Sequence, residues 1–143
     1  MSSEFQIQRR VEFCETDAAG IAHFSAFFLY MEQAEHALLR HLGLSVVMRD
    51  EAGVITWPRV SAHCDYTSAV KFEDVLDLAL TIKRLGDKSV TYSCRFSLNG
   101  VLAASGTLTS VCCRLLPDQP PKSIPIPPWI AERLKAYAPA AAS

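Results

Sequence analysis

The stretch 13–24, Phe13-Cys14-Glu15-Thr16-Asp17-Ala18-Ala19-Gly20-Ile21-Ala22-His23-Phe24, sets an acid on a turn of small residues just before the one long helical pattern in the chain. Amides at a helix start lack partners within the helix and sit at its positive pole, so they can stabilise a developing oxyanion. Asp17 can then act on the same carbon from the other side. Downstream, Phe27, Phe28, Met31, Ala34, Leu38 and Leu42 recur at three and four, which predicts a helix over 25–42, about 27 Å long. Ser25 suits the N-cap, and Gly43 suits a left-handed stop after Arg40 and His41. Upstream, Phe5, Ile7, Val11 and Phe13 alternate with polar residues, as in a half-buried strand over 5–13.

Beyond the helix the apolar period changes from 3.6 to 2. Val60, Ala62, Cys64 and Tyr66 alternate with Arg59, Ser61, His63 and Asp65, and Leu76, Leu78, Leu80 and Ile82 alternate with Asp77, Ala79, Thr81 and Lys83. Each set predicts one covered and one wetter face. After a turn at Gly86-Asp87-Lys88, the residues Val90, Tyr92, Cys94, Phe96 and Leu98 continue the pattern. Asn99-Gly100 signals a two-residue hairpin, and a last strand is expected over 101–115. Residues 117–128 hold six prolines and predict an extended surface crossing. A short helix over 129–137 and a loose Ala/Pro tail follow. A strand, one long helix and four more antiparallel strands make a single α+β domain over 1–143, its sheet wrapping the helix. One helix covers only part of such a sheet, so self-association is expected.

With 143 residues, half of them apolar, the chain can bury a real core without metals or disulfides. A net charge of -1 excludes wholesale attraction to nucleic acid or a membrane surface. The N-terminus lacks the basic start and apolar run of a secretory signal, and no stretch approaches the roughly 18 apolar residues of a membrane span. A soluble, cytoplasmic protein is expected. The five cysteines are odd in number and without C-x-x-C spacing, as in a reducing compartment. Cys64 and Cys94 fall on apolar strand phases and are expected to pack. Cys14 is a weaker nucleophile candidate than Asp17, and no His, Cys and Asp set has metal spacing.

The run Arg10-Val11-x-Phe13-x-Glu15-Thr16-Asp17-x-x-Gly20-Ile21-Ala22-His23-Phe24-x-x-Phe27-x-x-Tyr30-x-Glu32 resembles the signature of hot-dog-fold acyl-CoA thioesterases of the 4-hydroxybenzoyl-CoA thioesterase type. The likeness extends to about Leu115 through the Asp65-Tyr66 strand end, the Phe72-Glu73-Asp74-Val75-Leu76 re-entry and the Lys88-Ser89 turn. Many relatives carry a proline after the second-strand tyrosine, where this chain has Ser68-Ala69.

The resemblance implies a hot-dog fold, a five-stranded antiparallel sheet around the long helix, as a homodimer or homotetramer. It places the catalytic aspartate on Asp17 and the amide that polarises the thioester carbonyl on Phe24, with Gly20 and His23 nearby. Asp17 would act as nucleophile or as general base, and both routes stay open. His23 orients water or the thioester, or merely packs. Glu15 is read as structural support, and Glu32 as a surface ion pair with His36 or a helix carboxylate serving a partner subunit. The resemblance implies basic residues at strand ends for the phosphates of coenzyme A; Lys88 is preferred, with Ser89, Arg59 and Arg84 as candidates. Phe24, Phe27, Phe28 and Trp57 are candidates for the acyl pocket. No cofactor is implied, coenzyme A being part of the substrate. An acyl-thioester hydratase or dehydratase, or a non-catalytic acyl-CoA-binding protein, is the alternative. The acyl class and the choice of coenzyme A over acyl carrier protein stay open.

Overall fold

The computed structural model describes residues 3–140; the end of the Ala/Pro tail lies outside them. The chain runs through β1 (Phe5–Arg10), a 3-10 turn (Phe13–Glu15), α1 (Ala26–His41), the short strands β2 (Met48–Asp50) and β3 (Gly53–Thr56), then β4 (Arg59–Tyr66), β5 (Val75–Leu85), β6 (Ser89–Leu98) and β7 (Val101–Val111). It closes with β8 (Cys113–Arg114), β9 (Lys122–Ser123), α2 (Pro128–Leu134) and a last 3-10 turn (Lys135–Tyr137). The main sheet is antiparallel in the order β1-β5-β6-β7-β4, and β2, β3, β8 and β9 form a second, small sheet. This is the α+β hot-dog arrangement, with α1 laid against the five-stranded sheet.

Alternation on the central strands decides which face α1 covers. Leu76, Leu78, Leu80 and Ile82 of β5 and Val90, Tyr92, Cys94 and Phe96 of β6 are buried beneath it. Burial pushes the Cys94 thiol up to about 12, so it behaves as a small hydrophobe. Asn99 and Gly100 take positive φ of 51° and 82°, as the predicted two-residue hairpin requires. Gly43, with φ of 75°, ends α1: its N–H donates to the Arg40 carbonyl (3.0 Å) and the Leu44 N–H to that of Leu39 (2.7 Å), a Schellman stop.

The helix is rotated from the predicted stripe. Phe28 and Leu42 are only half-buried, while Tyr30, Glu35 and Leu39 are buried. Apolar periodicity is blind to Tyr30 and Glu35 because they are polar, and each has a partner that makes its burial tolerable. The predicted first strand also ends early. Past Arg10 the Glu12 N–H donates to Glu15 Oε1 (2.7 Å), which caps the 3-10 turn. Phe13 is left 74% exposed, its ring edge-on to Phe72 at 5.6 Å. The predicted 101–115 strand breaks at Cys112, whose N–H donates to the Lys88 carbonyl (2.7 Å), and β8 leaves for the small sheet, where Arg114 pairs with Asp50. On β4, alternation does not translate into a covered face: Val60 and Ala62 are exposed like Ser61 and His63, because β4 is an edge strand.

Gly106 of β7 lies against Met31 of α1 and beside the paired strand β4. A Cβ there would stand 2.6 Å from the His63 carbonyl oxygen of the paired strand and 2.7 Å from Met31 Sδ. Methionine can swing away, but a strand carbonyl cannot without breaking its ladder. Gly106→Ala is expected to cost about 1–3 kcal/mol of stability, read by urea denaturation. A parental midpoint would show that the two strands give way freely.

Candidate active site

Asp17 opens a tight turn whose residues explain its shape. The Gly20 N–H donates to the Asp17 carbonyl (3.0 Å), the Asp17 N–H donates to the Ile21 carbonyl (2.8 Å), and Thr16 and Ala22 form an antiparallel bridge. Aspartate at the first position and glycine at the fourth are what such a turn prefers, and Gly20 has φ of 78°. Asp17 Oδ1 accepts the Ala19 N–H (2.8 Å), and Oδ2 accepts no hydrogen bond among the described residues. The side chain is thus pinned through one oxygen and free at the other.

The turn is stitched to a distant segment, the connection from β4 to β5. The Ala22 N–H donates to the Val70 carbonyl (2.8 Å), and Ile21 bridges Lys71. Between turn, helix start and connection lies a cavity of about 370 Å³, walled by Asp17, Ile21, Ala22, Phe24 and Phe27 on one side and by residues 66–70 on the other. Tyr66 reaches across with its hydroxyl, which donates to the Phe24 carbonyl (2.7 Å). The tyrosine ring meets Phe27 edge-on at 5.2 Å.

Phe24 precedes the Ser25 N-cap, so its amide stands just outside the helix. That N–H has no acceptor among the described residues, whereas its neighbours do. The His23 N–H donates to the Glu15 carbonyl (2.8 Å), the Ser25 N–H to His23 Nδ1 (3.2 Å), and the Ala26 N–H to the His23 carbonyl (2.9 Å). A free N–H at the positive end of a helix is a donor in search of an anion or polarised carbonyl.

The other sequence candidates fall in three places. Gly20 shapes the turn, but its N–H is spent on Asp17 and it does not wall the cavity. The His23 imidazole also stays outside the cavity; it stacks on the Phe24 ring at 4.5 Å and bonds Ser25 Oγ at 2.8 Å. Glu15 supports the site from behind, paired with Arg9 and accepting from the Tyr30 hydroxyl (2.9 Å). Burial and Glu15 raise the Tyr30 phenol well above its ordinary range, so it stays a donor. Cys14 is exposed and off the cavity wall.

Farther away, Trp57 is buried with its indole N–H unpartnered and does not reach the cavity; Phe28 does not wall it either. Arg59 is held by the buried Glu35, donating to it from both terminal nitrogens, and lies 2.5 Å from Ser110 Oγ. A guanidinium so engaged is already neutralised. Glu32 lies 3.7 Å from Arg59 rather than in an ion pair with His36, whose Nε2 is 3.6 Å from Glu35 instead. Burial lowers the His36 pKa, which weakens that pairing further. Lys88 is exposed at the opposite end of the sheet. Phe96 is level with Ala104 and Tyr66, and the seven residues back to Ser89 span about 23 Å. Arg84 borders a separate groove with Lys83 and Lys135.

Among the described residues, no three His, Cys, Asp or Glu side chains converge to hold a metal ion, and no helix is long and apolar enough to cross a membrane. The model of the thioesterase-like superfamily matches residues 11–134, nearly the whole chain. The chain belongs to this superfamily. Within it, a 1,4-dihydroxy-2-naphthoyl-CoA hydrolase of Synechococcus sp. (strain CC9605) is 33% identical over 111 residues, covering 74% of each chain. The 4-hydroxybenzoyl-CoA thioesterase of Pseudomonas sp. (strain CBS-3) is 28% identical over 91 residues, 62% of this chain and 64% of that one. The solved structure of a gentisyl-coenzyme A thioesterase superposes with a TM-score of 0.78 at 26% identity, covering 91% of this chain and 99% of the other. Fold and family are those of a thioester hydrolase.

Proposed function

We propose that this superfamily member hydrolyses an acyl-CoA to a carboxylic acid and free coenzyme A, with Asp17 and the Phe24 amide as its working groups. The observation that supports the reading is that both residues wall one cavity and that, among the described residues, Asp17 keeps a carboxylate oxygen without a partner and Phe24 a backbone donor without an acceptor. A thioester carbonyl accepting from the Phe24 N–H becomes more electrophilic, and charge developing on its oxygen is stabilised there. Asp17 then attacks the carbonyl carbon, expelling the coenzyme A thiolate and leaving a mixed anhydride that water hydrolyses to the acid, or it takes a proton from a water that attacks directly and expels the thiolate. This chemistry calls on no cofactor. The walls apart from Asp17 are largely apolar, with Ile21, Ala22, Phe27, Tyr66 and Val70 around the space. Together with the aromatic acyl-CoA names of the relatives, this supports an aryl group as the acyl part.

Within one subunit Lys88 and Ser89 lie at the other end of the sheet from the level of Tyr66, which supports reading any role of Lys88 on the coenzyme A phosphates as one served across a second subunit. The exposed edge of β4, with Val60 at 61% exposure, supports a homodimer or homotetramer. Five free thiols, three of them buried, suit a reducing, cytoplasmic setting. Thiol release across aromatic and aliphatic acyl-CoAs tests the reading, with aryl-CoAs expected to be turned over fastest and the active species to sediment above 15.8 kDa. Saturable binding without thiol release, or hydration of an enoyl thioester instead, would sink it, and a fully active monomer would sink the assembly.

A further inference from the structure

The donor assigned to the thioester carbonyl is not held by a helix ladder. Phe24 lies before the N-cap, and its side chain is 63% exposed, so packing does little to fix it. The peptide that carries the Phe24 N–H is anchored at its carbonyl end, where His23 O accepts from Ala26. The next peptide, which sets the Phe24 torsions, is anchored by the Tyr66 hydroxyl on Phe24 O at 2.7 Å. That bond comes from the far wall, the end of β4, so it also sets the span between the walls.

We infer that Tyr66 is a positioning residue of the thioesterase site, its hydroxyl clamping the Phe24 carbonyl so that the adjacent N–H stays aimed at the substrate. The inference rests on the proposed hydrolysis. A phenol suits the task. Burial, with the Cys64 thiol adding, pushes Tyr66 up to about 12, so it keeps its proton and remains a donor across the working range. Its ring meets Phe27 edge-on, a contact that steadies the hydroxyl. An amide aimed only part of the time stabilises the oxyanion only part of the time, and the loss appears in kcat rather than in substrate binding.

The test is Tyr66→Phe, which keeps the ring and deletes one oxygen. On the aryl-CoA turned over fastest by the parent, kcat is expected to fall about tenfold with KM within about twofold. A second readout follows the carbonyl itself. In an Asp17→Asn background, where bound substrate persists, the infrared stretch of a bound benzoyl-CoA thioester should be lowered by the Phe24 N–H, and less so once Tyr66→Phe is added. Parental kcat and an unmoved carbonyl band would overturn the inference. So would a raised KM at constant kcat, or a lowered melting temperature with unchanged turnover per folded molecule. Full turnover by folded Asp17→Asn would instead strike the hydrolysis mechanism beneath it.

Discussion

Asp17→Asn is expected to lower kcat for acyl-CoA hydrolysis by about 100-fold or more, with little change in thermal midpoint. Asparagine keeps the side-chain shape and still offers a carbonyl Oδ1 to the Ala19 N–H, the bond through which Asp17 tightens its turn. What disappears is the anionic oxygen, and Oδ2 is the one that carries no structural bond among the described residues of the parent. The substitution therefore separates the two duties of one side chain. Thiol-release kinetics beside a melting curve measure both, and a folded variant with parental turnover would reject the catalytic assignment. Asp17→Ala should cost stability as well, because the turn loses its acceptor.

Arg59→Met is expected to remove about 3 kcal/mol of stability, the low end for stranding one partner of a buried ion pair, because the arginine is itself partly exposed. Glu35 is 2% exposed and bound to both terminal nitrogens of Arg59; without them it must stay charged in the core or keep a proton. Burial already pushes the Glu35 carboxyl above its ordinary range, with Arg59 offsetting part of that push. Removing the arginine raises it further. A lone Glu35 then holds its proton in the folded protein at pH values where the unfolded chain has released it. Across that window the folded state binds more protons, so stability falls as pH rises, by at most about 1.4 kcal/mol per unit, and levels off above the folded pKa. Urea denaturation of Arg59→Met at several pH values measures this. Adding Glu35→Met should restore much of the loss. A changed KM with parental stability would return Arg59 to the ligand-binding role that its strand-end position suggested.

Arg59 shows what a local pattern in this molecule does not carry. An arginine at the start of a strand is an exposed cation by pattern, and only the opposing helix supplies the buried carboxylate that claims it. Trp57 is similar: an aromatic near a strand start fits a pocket wall as well as a core, and in the fold it is buried away from the cavity. Phe27, by contrast, was recognisable, because it lies in the first turn of α1 beside the acidic turn. That residues 66–70 form a cavity wall is not legible locally, since a Thr-Ser-Ala run after a strand reads as ordinary connection.

Local order was written in the residues. The period of 3.6 marks α1 and the period of 2 marks the central strands because each is set by backbone geometry within a few neighbours. Glycine or asparagine then stands at the turns that need positive φ at Gly20, Gly43 and Asn99-Gly100, while Glu73 and Asp118 take positive φ without either. The 10–32 signature likewise carried the family and the acid at position 17. What only tertiary structure decided is which groups meet: Tyr66 with Phe24 across forty-two positions, Glu35 with Arg59 across twenty-four, and Ala22 with Val70 across the helix and the first sheet strands between them. Those pairings follow from strand register and from how α1 seats on the sheet, sums of many weak contacts over the whole chain, and no single stretch contains them.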